Sequence, residues 1–88
     1  VQAQTTELSR LANIGPTIER RLNEIGVRNR ADLEALGPAE AYRRIAAASS
    51  GRAVSVAYLY SLQGALDGLH RDALPMDVKS RLLREIDR

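Results

Sequence analysis

Three times in this chain a leucine is followed three residues later by an aliphatic residue and then by glycine. The copies are Leu11-Ala12-Asn13-Ile14-Gly15, Leu22-Asn23-Glu24-Ile25-Gly26 and Leu33-Glu34-Ala35-Leu36-Gly37. They recur every eleven residues, about three turns of helix. Glycine directly after an aliphatic run stops a helix, because it enters the left-handed conformation without steric cost. The pattern therefore predicts short helices reversed by tight turns. It leaves no room for a strand, since nothing in the chain alternates with period two.

Length and composition narrow the function classes. Eighty-eight residues make one small domain over 1–88. The absence of cysteine removes disulfides, thiolate metal sites and thiol nucleophiles, and fits a reducing compartment. No apolar run approaches the length of a bilayer span. The chain starts at Val1, so a processed or excised piece is expected. Net charge is only +2, too small for strong electrostatic capture of nucleic acid. Of the 13 basic residues all but Lys79 are arginine, the side chain that forks onto phosphate or carboxylate. Residues 1–52 carry 8 basic and 6 acidic groups and residues 53–88 carry 5 of each, so the excess lies in the first half. With no Phe or Trp and three Tyr, a stacking platform for single-stranded bases is not expected.

Six helices follow from periodicity and caps. The first is short, Thr6 to Ala12, with Leu8 and Leu11 inward. The second runs from Pro16 to Ile25 and shows one apolar face at Ile18, Leu22 and Ile25. Gly26 caps it, and Val27 is placed to fold back on Leu22. Asn29 with Asp32 reads as an N-cap pair for the third helix, which buries Leu33 and Leu36. Gly37-Pro38 stops that helix and starts a fourth, to Ala48, with Tyr42 and Ile45 inward. Ser49-Ser50-Gly51-Arg52 reads as a loop, and Ser55 as the N-cap of a fifth helix from Val56 to Leu69, with Val54 stapled to Leu59. Its apolar face is Leu59, Leu62, Leu66 and Leu69; another face, Ala57, Ser61, Gly64 and Gly68, holds only small residues. Two interior glycines cost about 2 kcal/mol of helix propensity, so a close helix contact is expected to offset them and to make this helix the centre of the fold. Pro75 precedes a sixth helix, Met76 to Asp87, with Val78, Leu82, Leu83 and Ile86 inward.

The first glycine turn carries the chemistry. A helix, the turn Asn13-Ile14-Gly15-Pro16-Thr17, and a helix bearing Arg20 and Arg21 form a helix-hairpin-helix-like unit over about residues 6–26. The opening amides of a helix lack internal partners and sit at the positive end of its dipole, so they suit a phosphate oxygen. Pro16 removes one amide; Gly15, Thr17 and Ile18 keep theirs. The candidate nucleic-acid-binding residues are Asn13, Gly15, Thr17, Ile18, Arg20 and Arg21. The competing reading is a turn that binds nothing, with both arginines as solvated charges and Arg20 paired to Glu24. A positive rim of Arg10, Arg20 and Arg21 around Gly15 favours DNA; a neutral turn covered by another helix favours a protein-interaction module.

Catalysis is not expected. His70 is the only histidine, so no metal cluster can form around it, and its place beside Arg71 and Asp72 suits a cap. Nucleophile, base and orienting group cannot all be supplied. No cofactor is implied. The small-residue face could meet a second copy in a homodimer, but packing inside the monomer is the simpler use.

From Leu11-x-Asn13-Ile14-Gly15-Pro16 through Leu22-x-x-Ile25-Gly26, then Asp32-Leu33-x-x-Leu36-Gly37-x-x-Glu40-Ala41-Tyr42, the chain resembles the C-terminal domain of the TfoX/Sxy competence regulators. Val54-Ser55, Leu59-Tyr60-x-Leu62-x-Gly64-Ala65, Gly68, His70 and Leu74-Pro75 continue the likeness. The resemblance implies an all-α bacterial domain of the cytoplasm, connected with control of DNA-uptake genes. Full-length members also carry an N-terminal α/β domain, so an excised domain or stand-alone relative is expected. Three positions depart from the pattern: Asn13 where nucleic-acid-binding hairpins often have glycine, Thr17 where they have lysine, and Arg71 where the family suggests an aromatic residue. The resulting expectation is a non-enzymatic regulatory module with weak, sequence-independent DNA backbone contact. The alternative is a protein–protein interaction or dimerisation module.

Overall fold

The computed structural model describes residues 7–49 and 54–87. Five α-helices and two 3-10 helices follow one another: a first 3-10 helix Glu7–Arg10, α1 Pro16–Glu24, α2 Arg30–Leu36, α3 Pro38–Ala48, α4 Val56–Asp67, a second 3-10 helix Arg71–Ala73, and α5 Met76–Ile86. Among the described residues there is no strand, so the all-α expectation holds. The opening element is a 3-10 helix rather than an α-helix. It still buries Leu8 completely and brings Leu11 against the core.

The local signals act as their chemistry dictates. At the end of α1 the Val27 amide donates to the Leu22 carbonyl and the Gly26 amide to that of Asn23. This is the Schellman pairing, with Gly26 at φ 91°. The Asn29 side chain accepts from the Asp32 amide at 2.8 Å, while the Asp32 carboxylate accepts from the Arg28 amide. Ser55 caps α4 through the Ala57 amide. Gly37, at φ 88°, ends α2 and N-caps α3.

Leu8, Ile14, Leu22, Val27, Leu33, Ala41, Ile45, Leu62 and Ala65 form one buried cluster, with Ile18, Ile25, Leu36, Val54 and Leu66 packed on it. Tyr42 lies at the edge of this core and its hydroxyl donates to the Val54 carbonyl. Two helices share the central role expected of α4 alone: α3 packs against α1, α2, α4 and α5, and α4 against α2, α3, α5 and the second 3-10 helix. Ser49 is buried at the end of α3; Ser50 to Arg52 lie outside the described residues.

Two expectations about the apolar faces fail, each for its own reason. The fifth helix was expected to reach Leu69, but α4 ends at Asp67 and Gly68 is its left-handed terminator at φ 72°. Gly68 is therefore no member of an interior stripe, and Leu69 is carried out to 40 % exposure. On α5, Leu82 is fully buried while its neighbour Leu83 is 39 % exposed, because adjacent helical positions diverge by about 100° and one face is enough to cover the core.

Gly64 is the one interior glycine of α4, and its close neighbour is not a helix. A β-carbon there would clash with the Leu69 carbonyl oxygen and lie 2.5 Å from the Asn13 side-chain nitrogen. Leu69 has folded back so that its amide donates to the Gly64 carbonyl at 2.9 Å. Gly64→Ala, which would gain roughly 1 kcal/mol in an open helix, should instead destabilise the domain by about 1–3 kcal/mol through overpacking. A chemical denaturation midpoint at or above that of wild type would refute this. Ser61 offers the opposite case. Its hydroxyl is buried and, among the described residues, has no hydrogen-bond partner, so Ser61→Ala should leave stability unchanged or raise it slightly, as read by the same denaturation curve.

Candidate nucleic-acid interface

The hairpin turn is built on Asn13. It is the only described non-glycine residue with positive φ, at 68°, a conformation that asparagine tolerates better than most side chains. The first glycine of the repeat is therefore not the left-handed stop. Gly15 is extended, at φ −93° and ψ −179°, and serves as the N-cap of α1. The reversal falls two residues earlier because Asn13 can hold it with its side chain. Its amide nitrogen donates to the Leu69 carbonyl at 2.8 Å and to that of Ser61 at 3.4 Å. Its carbonyl oxygen accepts from the Arg71 amide at 3.1 Å. Both ends of Asn13 are thus used inside the protein, and what the turn offers a ligand comes from its neighbours.

Those neighbours are open. Gly15, Pro16 and Thr17 are exposed, while Ile14 is buried beneath them as the anchor. Among the described residues no acceptor meets the amides of Gly15, Thr17 or Ile18; the first amide taken up is that of Glu19, by the Gly15 carbonyl. Ile18 turns its side chain to the core. Glu19, also in the first turn of α1, is buried, with 7 % exposure. Its carboxylate offsets part of the positive end of the helix dipole.

The two arginines of α1 part company. Arg20 is exposed and, among the described residues, forms no ion pair, so the pairing with Glu24 does not occur. Arg21 is half-buried and donates to the Ser49 hydroxyl at 2.8 Å, which in turn donates to the Ile45 carbonyl. It ties α1 to the end of α3 and is not part of the open rim.

The other basic residues sort by partner. Glu40 holds Arg44 and Arg43, at 3.0 and 3.2 Å, and hydrogen bonds from these two guanidiniums lower its carboxyl below the ordinary range. Arg30 pairs with Glu34 and donates to the Leu66 carbonyl. Arg81 meets Glu85, and Lys79 lies over the Tyr60 ring. Arg10, Arg20, Arg28, Arg71 and Arg84 are exposed and make no ion pair among the described residues. Three of these five stand around the hairpin. Arg10 precedes it and Arg20 follows it, while Arg71, fifty-eight residues from Asn13, is joined to it by a hydrogen bond. Reading along the chain could not place Arg71 there, because the contact depends on how α4 ends.

His70 caps the second 3-10 helix, accepting from the Asp72 amide at 3.1 Å. Among the described residues no group of three or more His, Asp or Glu side chains could hold a metal ion. None of the described helices is long and apolar enough to cross a membrane. Open hollows between α2, α3 and α5, and between α1, α2 and α3, contain no arrangement of nucleophile and base.

The unequal roles of the α1 arginines give a direct test. Arg21→Glu should cost about 1.5–3 kcal/mol, the range for a hydrogen bond involving a charged group, whereas Arg20→Glu should stay within about 0.5 kcal/mol of wild type. Equal denaturation midpoints for the two variants would contradict the arrangement.

Comparison with known proteins agrees with this architecture. A crystal structure of an uncharacterized protein from Listeria monocytogenes, in a triclinic form, is 34% identical and superposes with a TM-score of 0.79, over 86% of this chain and 84% of that one. A protein of unknown function from the same organism, in a tetragonal form, is 32% identical with a TM-score of 0.80, over 90% of this chain and 95% of that one. None of the curated proteins matches. The sequence model of the TfoX C-terminal domain matches residues 4–86, and the chain accordingly belongs to the TfoX C-terminal domain family.

Proposed function

We propose that this chain is a non-enzymatic regulatory module that touches the DNA backbone weakly and without sequence preference through its hairpin. The observation that carries the reading is the exposed turn Gly15-Pro16-Thr17, flanked in the chain by Arg10 and Arg20, both exposed and, among the described residues, without an ion pair. A covered turn with paired arginines would have argued for a purely protein-binding surface. Because Glu19 occupies the first turn of α1, the arginines rather than the helix amides supply most of the attraction. No described element presents a set of base-reading side chains to a groove, so contact stops at phosphate and sugar. Family membership supports a bacterial, cytoplasmic role connected with DNA-uptake competence or gene regulation.

The second reading is a protein-interaction module without nucleic-acid affinity. It draws on Met76 and Leu83, 77 % and 39 % exposed and seven residues apart on one face of α5. A homodimer through the small-residue face is a weaker form of it, since Ser61 and Gly64 are buried inside the chain.

Titration of fluorescent duplex DNA at two salt concentrations separates the readings. Two to four neutralised phosphates give a log K against log salt slope of roughly −2 to −4, and affinity should lie in the non-specific range, about 10⁻⁴ to 10⁻⁶ M. Arg20→Glu should remove binding without moving the melting temperature. No binding by wild type at low salt, or wild-type binding by the variant, would transfer support to the interaction module.

A further inference from the structure

We infer that Arg71 is a phosphate-contacting residue of the same surface, held in register with the hairpin by Asn13. The inference rests on the backbone-contact reading above and adds a second, distant segment to it. The Arg71 backbone amide lies 3.1 Å from the Asn13 side-chain oxygen, Oδ1, and Asn13 is two residues from Gly15. A chain spans at most about 3.6 Å per residue, so Arg71 starts within a short step of the open turn. Each strand of duplex DNA presents a phosphate about every 3.4 Å along its axis, so a strand lying on Gly15 has further phosphates beside that step. The Arg71 side chain is exposed, and among the described residues it forms no ion pair.

Its position is not left to a free loop. Asn13 grips both sides of the segment, donating to the Leu69 carbonyl at 2.8 Å and accepting from the Arg71 amide. The Leu69 amide is in turn bonded to Gly64. Downstream, the His70 ring nitrogen holds the Asp72 amide at 3.1 Å. The Asp72 carboxylate lies 3.6 Å from the same ring, and among the described residues no carboxylate pairs with Arg71. The backbone that carries Arg71 is therefore fixed relative to the turn, and a guanidinium launched from it adds one charged contact to those of Arg10 and Arg20.

The test is the salt dependence of duplex DNA binding by the whole chain. Arg71→Gln should lower the steepness of the log K against log salt slope by about one, equally for unrelated duplex sequences, with no change in melting temperature. Arg71→Lys should restore the slope, because a point charge suffices for phosphate. Arg28→Gln is the control: Arg28 is also exposed and, among the described residues, without an ion pair, but it lies beyond the far end of α1, so its removal should leave the slope as it was. A wild-type slope in Arg71→Gln, or an equal loss in Arg28→Gln, overturns the assignment of Arg71 while leaving the hairpin reading in place. Absence of binding by wild type at low salt overturns both.

Discussion

The side chain of Asn13 is the clasp on which the architecture around the hairpin depends. A left-handed asparagine costs more than a glycine at the same φ, and here that cost is offset by hydrogen bonds reaching across the whole sequence. One amide group joins the turn before α1 to the carbonyl of Leu69 and the amide of Arg71. The same nitrogen fills the space above Gly64. The hairpin and the exit from α4 are therefore one structural object. Removing the side chain would free three segments at once, which is why glycine at this position, although favourable for the turn alone, would be a poorer fit to the whole.

Much of this fold was legible because its signals are local. Proline at the start of α1 and α3, glycine at the end of α1 and α2, and the caps at Asn29 and Ser55 each act within a turn or two, and each appears where the residue chemistry places it. The apolar faces of α1 and α2 were legible for the same reason. Gly68 was misread because a glycine inside a helix and a glycine ending one look alike when an apolar residue follows. Leu69 extends the leucine spacing of α4 by three residues, so periodicity favoured the longer helix. Nothing short of the contact with Asn13 reveals that the chain turns there.

The candidate site was legible in part. The turn follows from the motif while its exposure does not, and Arg20 lies outside the core as the spacing of Ile18, Leu22 and Ile25 implies. Arg21 was placed in the same rim on the assumption that the apolar face alone decides what is buried. It is instead drawn to a hydroxyl on another helix, a tertiary polar contact that no periodicity encodes. Arg71 illustrates the converse: a residue that departs from the family pattern in sequence stands in space beside the family motif.

The connection between α3 and α4 has both of its margins pinned. On one side the buried Ser49 holds the Ile45 carbonyl and receives Arg21; on the other the Val54 carbonyl receives the Tyr42 hydroxyl. Each anchor draws on a side chain of a neighbouring helix, Arg21 of α1 or Tyr42 of α3. The exit from α3 and the lead into α4 are therefore fixed by tertiary contacts of their own, so Arg21→Ala and Tyr42→Phe should loosen opposite margins of the connection independently.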